Sequence, residues 1–271
     1  MEVAYRERAA KLDGINKAAP WMRLYRELTL STIDALAAPG DRVLDAACGT
    51  GIFATHLLER GYSVVMLDAL PNMLSLARRK AEQLPIESSR FTTLRSQLTD
   101  LQGCDDASFD LVICTQALNM CGDLVRVFSE FRRVLRPGGT LFCDIDGAYR
   151  WAVVQALSGD AENARNILVD GYDAAGSILG PDYYFIGPER LRGHLERAGF
   201  AVQNMRGLLY FAPLLHVWGD SATYVERPGL PFGTEDPSGS VAFEALRSLE
   251  LESLELGLPL EMAGWVQVTA S

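Results

Sequence analysis

The sequence is poor in the residues from which catalytic clusters are most often assembled. Three histidines, His56, His194 and His216, stand far apart in 271 residues, and neither a nucleophile triad nor a metal cluster can be read from the spacing. The five cysteines, Cys48, Cys104, Cys114, Cys121 and Cys143, form an odd set without a C-x-x-C pair. That argues against a disulfide framework or a zinc site and points to a reducing, cytoplasmic setting. Cys48, Cys114 and Cys143 read as small apolar packing residues. No apolar run approaches the length of about 20 residues needed to span a bilayer. Tyr5-Arg6-Glu7-Arg8 is already charged, where a leader would carry its apolar core. Positive charge is scarce as well: 25 Lys and Arg against 35 Asp and Glu leave a net charge of −10. Such a surface repels phosphate backbones. The densest basic group, Arg132, Arg133 and Arg136, is expected to cap the C-terminal dipole of a helix. Neither nucleic acid nor membrane is expected as a partner, and a homodimer is left open.

What the chain does have is one dense motif. Val43-Leu44-Asp45-Ala46-Ala47-Cys48-Gly49-Thr50-Gly51 takes an apolar run into an acid and through small residues to two glycines. Ile52 to Arg60 follows as an amphipathic helix. Strand, tight turn and helix N-terminus in that order leave main-chain N–H groups facing a ligand. Seventeen residues beyond Gly51, the apolar run Tyr62 to Leu67 ends in Asp68. An acid at the tip of the second strand of a βαβ unit is placed to accept hydrogen bonds from ribose hydroxyls. Together these features indicate a nucleoside-bearing small molecule.

Gly49 to Ala54 also fits G-x-G-x-x-A, the dinucleotide fingerprint. In that fingerprint, however, the glycines follow the strand directly, whereas here Asp45-Ala46-Ala47-Cys48 intervenes. A carboxylate at this point would repel a pyrophosphate by several kcal/mol where screening is poor. It suits a ligand with a cationic end, and S-adenosylmethionine carries both a sulfonium and an α-amino group. The wider pattern agrees. Leu44-Asp45-x-x-Cys48-Gly49-Thr50-Gly51 is followed by Asp68 with Asn72-Met73-Leu74 and Ala77-Arg78. Ser108-Phe109-Asp110-Leu111-Val112 and Leu135-Arg136-Pro137-Gly138-Gly139-Thr140-Leu141 come next. In order and spacing this set resembles the class I S-adenosylmethionine-dependent methyltransferases, small-molecule and natural-product enzymes among them. The resemblance covers residues 39–145 well and 187–202 more loosely.

Alternating elements predict an α/β fold wound on both faces of a parallel sheet. Strands are expected at 42–46, 62–67, 90–95, 109–115, 139–145, 201–211 and 264–270. Helices are expected at 51–60, 71–83, 123–135, 188–198 and near 241–256. Pro137-Gly138-Gly139 reads as punctuation between helix and strand. The resemblance implies a three-layer sandwich whose seven-stranded, mostly parallel sheet has the order 3-2-1-4-5-7-6, the last strand antiparallel. The expected organisation is a single domain over 1–271: a helical cap at 1–38, a cofactor-binding core at 39–146, a substrate-side insertion at 147–187, and a C-terminal helix and hairpin at 188–271. Tyr149, Trp151, Tyr172, Tyr183, Tyr184 and Trp218 would wall a pocket for an aromatic or bulky apolar acceptor.

The resemblance implies roles residue by residue. Asp45 and the turn Ala47, Cys48, Gly49 and Gly51 would hold the methionine portion, and Asp68 the ribose, with Ala69 and Leu70 beside it. Where relatives carry Gly-Asp before the adenine contact, this chain has Ser96-Gln97, so Gln97 and Leu98 take that role, with Asp100 as the rival. Thr115 and Gln116 would lie next to the sulfonium, and Asn119 would face the reaction centre. For a base, His216 is the best of the histidines, with Asp144 and Asp146 as alternatives at the end of the fifth strand. Alternation puts those two acids on one face, so they are expected to differ in exposure rather than direction. No metal is expected. The activity implied is transfer of a methyl group from S-adenosylmethionine to O or N of a small molecule. Two alternatives remain: a non-methylating cyclisation or decarboxylation on the same fold, and a peptide or protein acceptor.

Overall fold

The computed structural model describes residues 20–157, 159–171, 183–210, 241–256 and 258–271. His216, Tyr172, Trp218 and the first half of the N-terminal cap lie outside the described residues.

A helix, α1 (Pro20–Leu36), precedes the sheet. Strands β1 (Arg42–Ala46), β2 (Ser63–Asp68) and β3 (Phe91–Arg95) follow, joined by α2 (Ile52–Glu59) and α3 (Pro71–Glu82). Next come β4 (Phe109–Cys114), α4 (Leu124–Val134) and β5 (Leu135–Asp146). Two inserted helices, α5 (Ala148–Leu157) and α6 (Ala161–Asp170), lead to α7 (Pro188–Arg197), β6 (Val202–Leu208), α8 (Val241–Leu256) and β7 (Trp265–Ala270). The seven strands form one sheet in the order β3-β2-β1-β4-β5-β7-β6. All neighbours are parallel up to β5, and β7 runs antiparallel to both β5 and β6.

Local chemistry accounts for the elements. Pro71 opens α3 at its first turn, where a missing N–H costs nothing. Asp123 caps α4 by accepting from the Arg126 N–H at 3.0 Å. The buried residues of α4, Leu124, Val127, Phe128, Phe131 and Val134, repeat at helical spacing. They join Leu44, Val112 and Cys143 on one face of the sheet. The other face, with Val43, Met66, Ile113 and Phe142, packs against α1, α2 and α3. Each large side chain buried in this way contributes about 1.5–3 kcal/mol.

Two sequence expectations need correction. β5 starts at Leu135, not 139, because Leu135 pairs with Phe109 before the register shifts ahead of Leu111↔Thr140. Pro137-Gly138-Gly139 is therefore a bulge inside the strand rather than punctuation before it, and Gly138 takes φ 78° there. Arg133 does not cap its own helix. Its guanidinium pairs with Glu130 at 2.8 Å and Asp106 at 2.6 Å, and donates to the Cys104 carbonyl at 2.9 Å. Arg136 pairs with Asp110.

The sheet order reverses between β1 and β4, and in open α/β sheets the crevice for a ligand lies outside the C-terminal ends of strands at such a switch point. Both strands leave the sheet through a non-glycine residue in the left-handed region, Ala47 at φ 64° and Gln116 at φ 54°. Strain of this kind persists only where surrounding contacts enforce it, and it collects at functional sites.

Candidate active site

The turn after β1 closes with the Cys48 N–H donating to the Leu67 carbonyl at 2.8 Å and the Gly51 N–H to the Cys48 carbonyl at 2.9 Å. Gly51 is irreplaceable on two counts. Its φ is 80°, and a Cβ there would stand 2.8 Å from the Cβ of Ala77 on α3. This close approach seats α2 and α3 side by side behind the turn. Lys80 of α3 donates to the Thr50 hydroxyl at 3.1 Å.

Asp45 is 1% exposed. One carboxylate oxygen accepts from the Ala54 main chain, and Oδ2 has no partner. Burial, with the charge of Asp68 nearby, lifts this carboxyl to about 7. Asp68 accepts from the Gly49 N–H at 2.9 Å through Oδ2 and from the Leu70 N–H at 2.9 Å through Oδ1. Burial raises its carboxyl too. A buried acceptor without a donor is costly until a ligand supplies one. Two buried acids flanking the turn, one with an oxygen that lacks a donor, suit a cation with hydroxyls beside it and disfavour a pyrophosphate.

The other expected cofactor residues spread along the same edge. Ala69 follows Asp68, half-buried. Gln97 is exposed at the exit of β3, where the Asp100 N–H donates to its carbonyl at 3.1 Å. Leu98 is buried at the rim of the core cluster, 9% exposed. Thr115 is buried at the tip of β4. Asp100 accepts from the Gln102 amide at 3.0 Å.

Beyond β4 and β5 the side chains are joined to one another. The Asn119 amide accepts from the Asp146 N–H at 2.7 Å and donates to the Tyr184 carbonyl at 2.8 Å. The Tyr184 N–H returns to the Asn119 carbonyl at 2.7 Å. Asp146 Oδ2 accepts from the Tyr183 hydroxyl at 2.6 Å and the Trp151 indole at 3.1 Å. Trp151, Tyr183 and Phe185 form a buried aromatic group. Tyr149, expected among the walls, is 46% exposed and faces outward. Asp144 and Asp146 share burial and differ in partners: Asp144 accepts from the Gln116 N–H at 2.7 Å and from the Tyr25 hydroxyl. Sequence reasoning missed Tyr25, which falls within the expected helical cap, and Arg150, whose guanidinium lies 4.5 Å from the Trp265 ring centre. His56 binds Asp34 at 3.1 Å and His194 binds Arg197 at 3.0 Å, both away from this edge. Among the described residues no group of His, Cys, Asp and Glu could hold a metal ion, and no helix is long and apolar enough to cross a membrane.

Comparison with known proteins bears on what this edge binds. Residues 44–143 match the family model described as "Methyltransferase domain". A ubiquinone biosynthesis O-methyltransferase of Xanthomonas campestris pv. campestris (strain B100) is 31% identical over 178 residues, 65% of this chain and 69% of that protein. The chain belongs to the S-adenosylmethionine-dependent methyltransferase family. The methyltransferase is also 36% identical to a demethylmenaquinone methyltransferase of Beutenbergia cavernae over 138 residues, 51% of this chain and 53% of that one. An S-adenosylmethionine-dependent methyltransferase from Mesorhizobium loti shares the fold at TM-score 0.60 and 20% identity, covering 90% of this chain and 96% of that one. S-adenosylmethionine is therefore the cofactor of this methyltransferase, and the unpartnered Asp45 oxygen fits its cationic amino end.

Proposed function

We propose that the enzyme methylates an oxygen or nitrogen of a small molecule, in a crevice at the C-terminal edge of β1, β4 and β5. The observation that carries this reading is Asp45, a buried carboxylate with one oxygen lacking a donor beside a glycine turn. In this reading Asp45 takes the amino end of the cofactor, while Ala47, Cys48, Gly49 and Gly51 face its methionine portion. Asp68 accepts from the ribose with Ala69 beside it, Gln97 and Leu98 meet the adenine, and Thr115 borders the sulfonium. When bound, the cofactor supplies a methyl group already activated on sulfur. The protein's task is then alignment and exclusion of water. Asn119 and Asp146 fix the wall opposite the turn, and Trp151 and Tyr183 give it an aromatic surface suited to an aromatic or bulky apolar acceptor. Oxygen is supported by the Xanthomonas relative, which is named for O-methylation in ubiquinone biosynthesis. We read the whole chain as one domain of a cytoplasmic biosynthetic enzyme, with 1–38 as its cap and 147–187 as its acceptor-side insertion.

The test pairs calorimetry with a methyl-label assay on a panel of phenols and amines. S-adenosylhomocysteine is expected to bind the wild type and to bind Asp45→Asn far more weakly, and label is expected in a small product. Absence of binding would overturn the site. Conversion of an acceptor without label would overturn the transfer.

A further inference from the structure

α1 is joined to the sheet by a row of polar side chains. Asp144 on β5 lies opposite Gln267 on β7, and Gln267 opposite Arg206 on β6. Each binds α1 at the next turn along. Tyr25 donates to Asp144, Gln267 donates to Thr29 at 2.7 Å, and Arg206 donates to Thr32 and, at 3.2 Å, to the Leu28 carbonyl. Tyr25, Thr29 and Thr32 fall at helical spacing on one face. A row of this kind, buried at Tyr25, Asp144, Thr29 and Gln267 and half-buried at Thr32 and Arg206, permits one axial position of the helix, since a slip would strand several polar groups.

The end of the row nearest the crevice reaches the main chain at the tip of β4. Asp144 takes the Tyr25 hydroxyl on one oxygen and the Gln116 N–H on the other. The Gln116 side chain returns to the Met22 sulfur of α1 at 3.7 Å. Gln116 is the residue held at φ 54°. Tyr25 also packs edge-on to Phe53, in the first turn after the glycines, with ring centres 6.5 Å apart. One helix thus touches both sides of the crevice.

We propose that Tyr25 and Asp144 are a positioning pair through which α1 sets the main chain of Gln116 and closes the methionine end of the cofactor crevice. The proposal rests on the reading that S-adenosylmethionine occupies that crevice. It makes closure sensitive to the protonation of Asp144, because a neutral carboxyl is a weaker acceptor for both donors. Burial raises the Asp144 carboxyl to about 7, the Gln116 and Tyr25 hydrogen bonds oppose the rise, and Asp146 on the same strand adds to it. From the neighbouring elements, Arg206 of β6 spends its guanidinium on Gln267 and α1, and Arg150 of α5 lies over the Trp265 ring.

The experiment follows the Gln116 amide resonance of the full chain against pH, alongside S-adenosylhomocysteine affinity, in wild type, Tyr25→Phe and Thr29→Val. An amide bonded to a carboxylate reports that carboxylate's titration. In the wild type the resonance is expected to titrate near pH 7. Tyr25→Phe is expected to move that midpoint upward and to weaken S-adenosylhomocysteine about tenfold, the loss of one charge-assisted hydrogen bond. Thr29→Val, one turn further from the crevice, is expected to lower the melting temperature yet leave midpoint and affinity within twofold. The pairing is overturned if Tyr25→Phe leaves both midpoint and affinity unchanged. It is overturned equally if both variants lose affinity in proportion to stability. A wild type that fails to bind S-adenosylhomocysteine removes the crevice reading itself, and the pair's role with it.

Discussion

Near the end of β1 a buried acid keeps an oxygen without a donor, whereas near the end of β5 the buried polar side chains satisfy one another. Asp45 keeps an oxygen without a donor. Asp146 and Asn119, only a few residues from the same edge, are tied to Tyr183, Trp151 and the 184 main chain. The first arrangement leaves a need that, in the proposed reading, the cationic end of the cofactor meets. The second makes a stiff wall. A fold that must bind one invariant cofactor beside a variable acceptor benefits from this division, because the wall can change without disturbing the turn.

The sharpest way to break the comparison is Gly51→Ala. Here the main chain passes so close to α3 that even a methyl group is excluded. The added Cβ meets Ala77 at 2.8 Å in a backbone with φ 80°. Backbone strain and overpacking together are expected to cost about 3 kcal/mol, read from denaturant unfolding, and to abolish S-adenosylhomocysteine binding. An unfolding midpoint close to wild type would show that α3 yields easily and that the turn is less constrained than its geometry implies.

Asp45→Asn tests the stored need. It is expected to weaken S-adenosylhomocysteine about a hundredfold, the value of about 2–3 kcal/mol for a buried charge-assisted contact. Without ligand the same change relieves the protein above neutral pH. Asp45 and Asp144 are each raised to about 7 in the fold, against about 4 in the unfolded chain. Between those values the folded state holds protons that the unfolded chain has released, so stability declines as pH rises from about 4 through 7. The melting temperature of the wild type should accordingly fall between pH 5 and 8, and Asp45→Asn should flatten part of that fall. A wild-type melting temperature that climbs across this range would contradict the raised carboxyls.

Most of the frame is legible in the sequence, because hydrophobic runs, the glycine turn and the proline that opens α3 are local signals. The acceptor side is not. Asp144 meets Gln267 only through an antiparallel pairing of residues more than a hundred positions apart, and no periodicity in α1 distinguishes a tyrosine aimed at a carboxylate from one that fills a core. Alternation led to the expectation that Asp144 and Asp146 differ in exposure; both are buried, and what separates them is their partners, Tyr25 and Gln116 for one and Tyr183 and Trp151 for the other. Arg133 was misread for the same reason, since its partners Asp106 and the Cys104 carbonyl come from a loop beyond the helix.

Asn119→Ala probes the stiff wall. It strands the Asp146 N–H and the Tyr184 carbonyl together, and two buried unpaired groups cost about 2–3 kcal/mol. The expected signature is lowered stability and a raised acceptor KM, with S-adenosylhomocysteine affinity almost unchanged. Equal losses for cofactor and acceptor would mean that the two ends of the crevice are coupled rather than divided.

The smallest effect belongs to Gln97→Ala, and it bears on how far the division extends. Gln97 is exposed, and its main chain is held by the Asp100 N–H independently of the side chain. Truncation therefore should not alter folding stability by more than about 0.5 kcal/mol. If the side chain meets the adenine it forms a neutral hydrogen bond worth about 1 kcal/mol, so S-adenosylhomocysteine should weaken about fivefold in calorimetry. The carboxamide can accept from the adenine amino group and donate to a ring nitrogen. Sinefungin and adenosine, which carry the same base, should lose affinity by the same factor, while methionine alone should not. A loss confined to ligands with the amino-acid end would move the adenine contact away from Gln97, with Asp100→Asn as the next variant to measure.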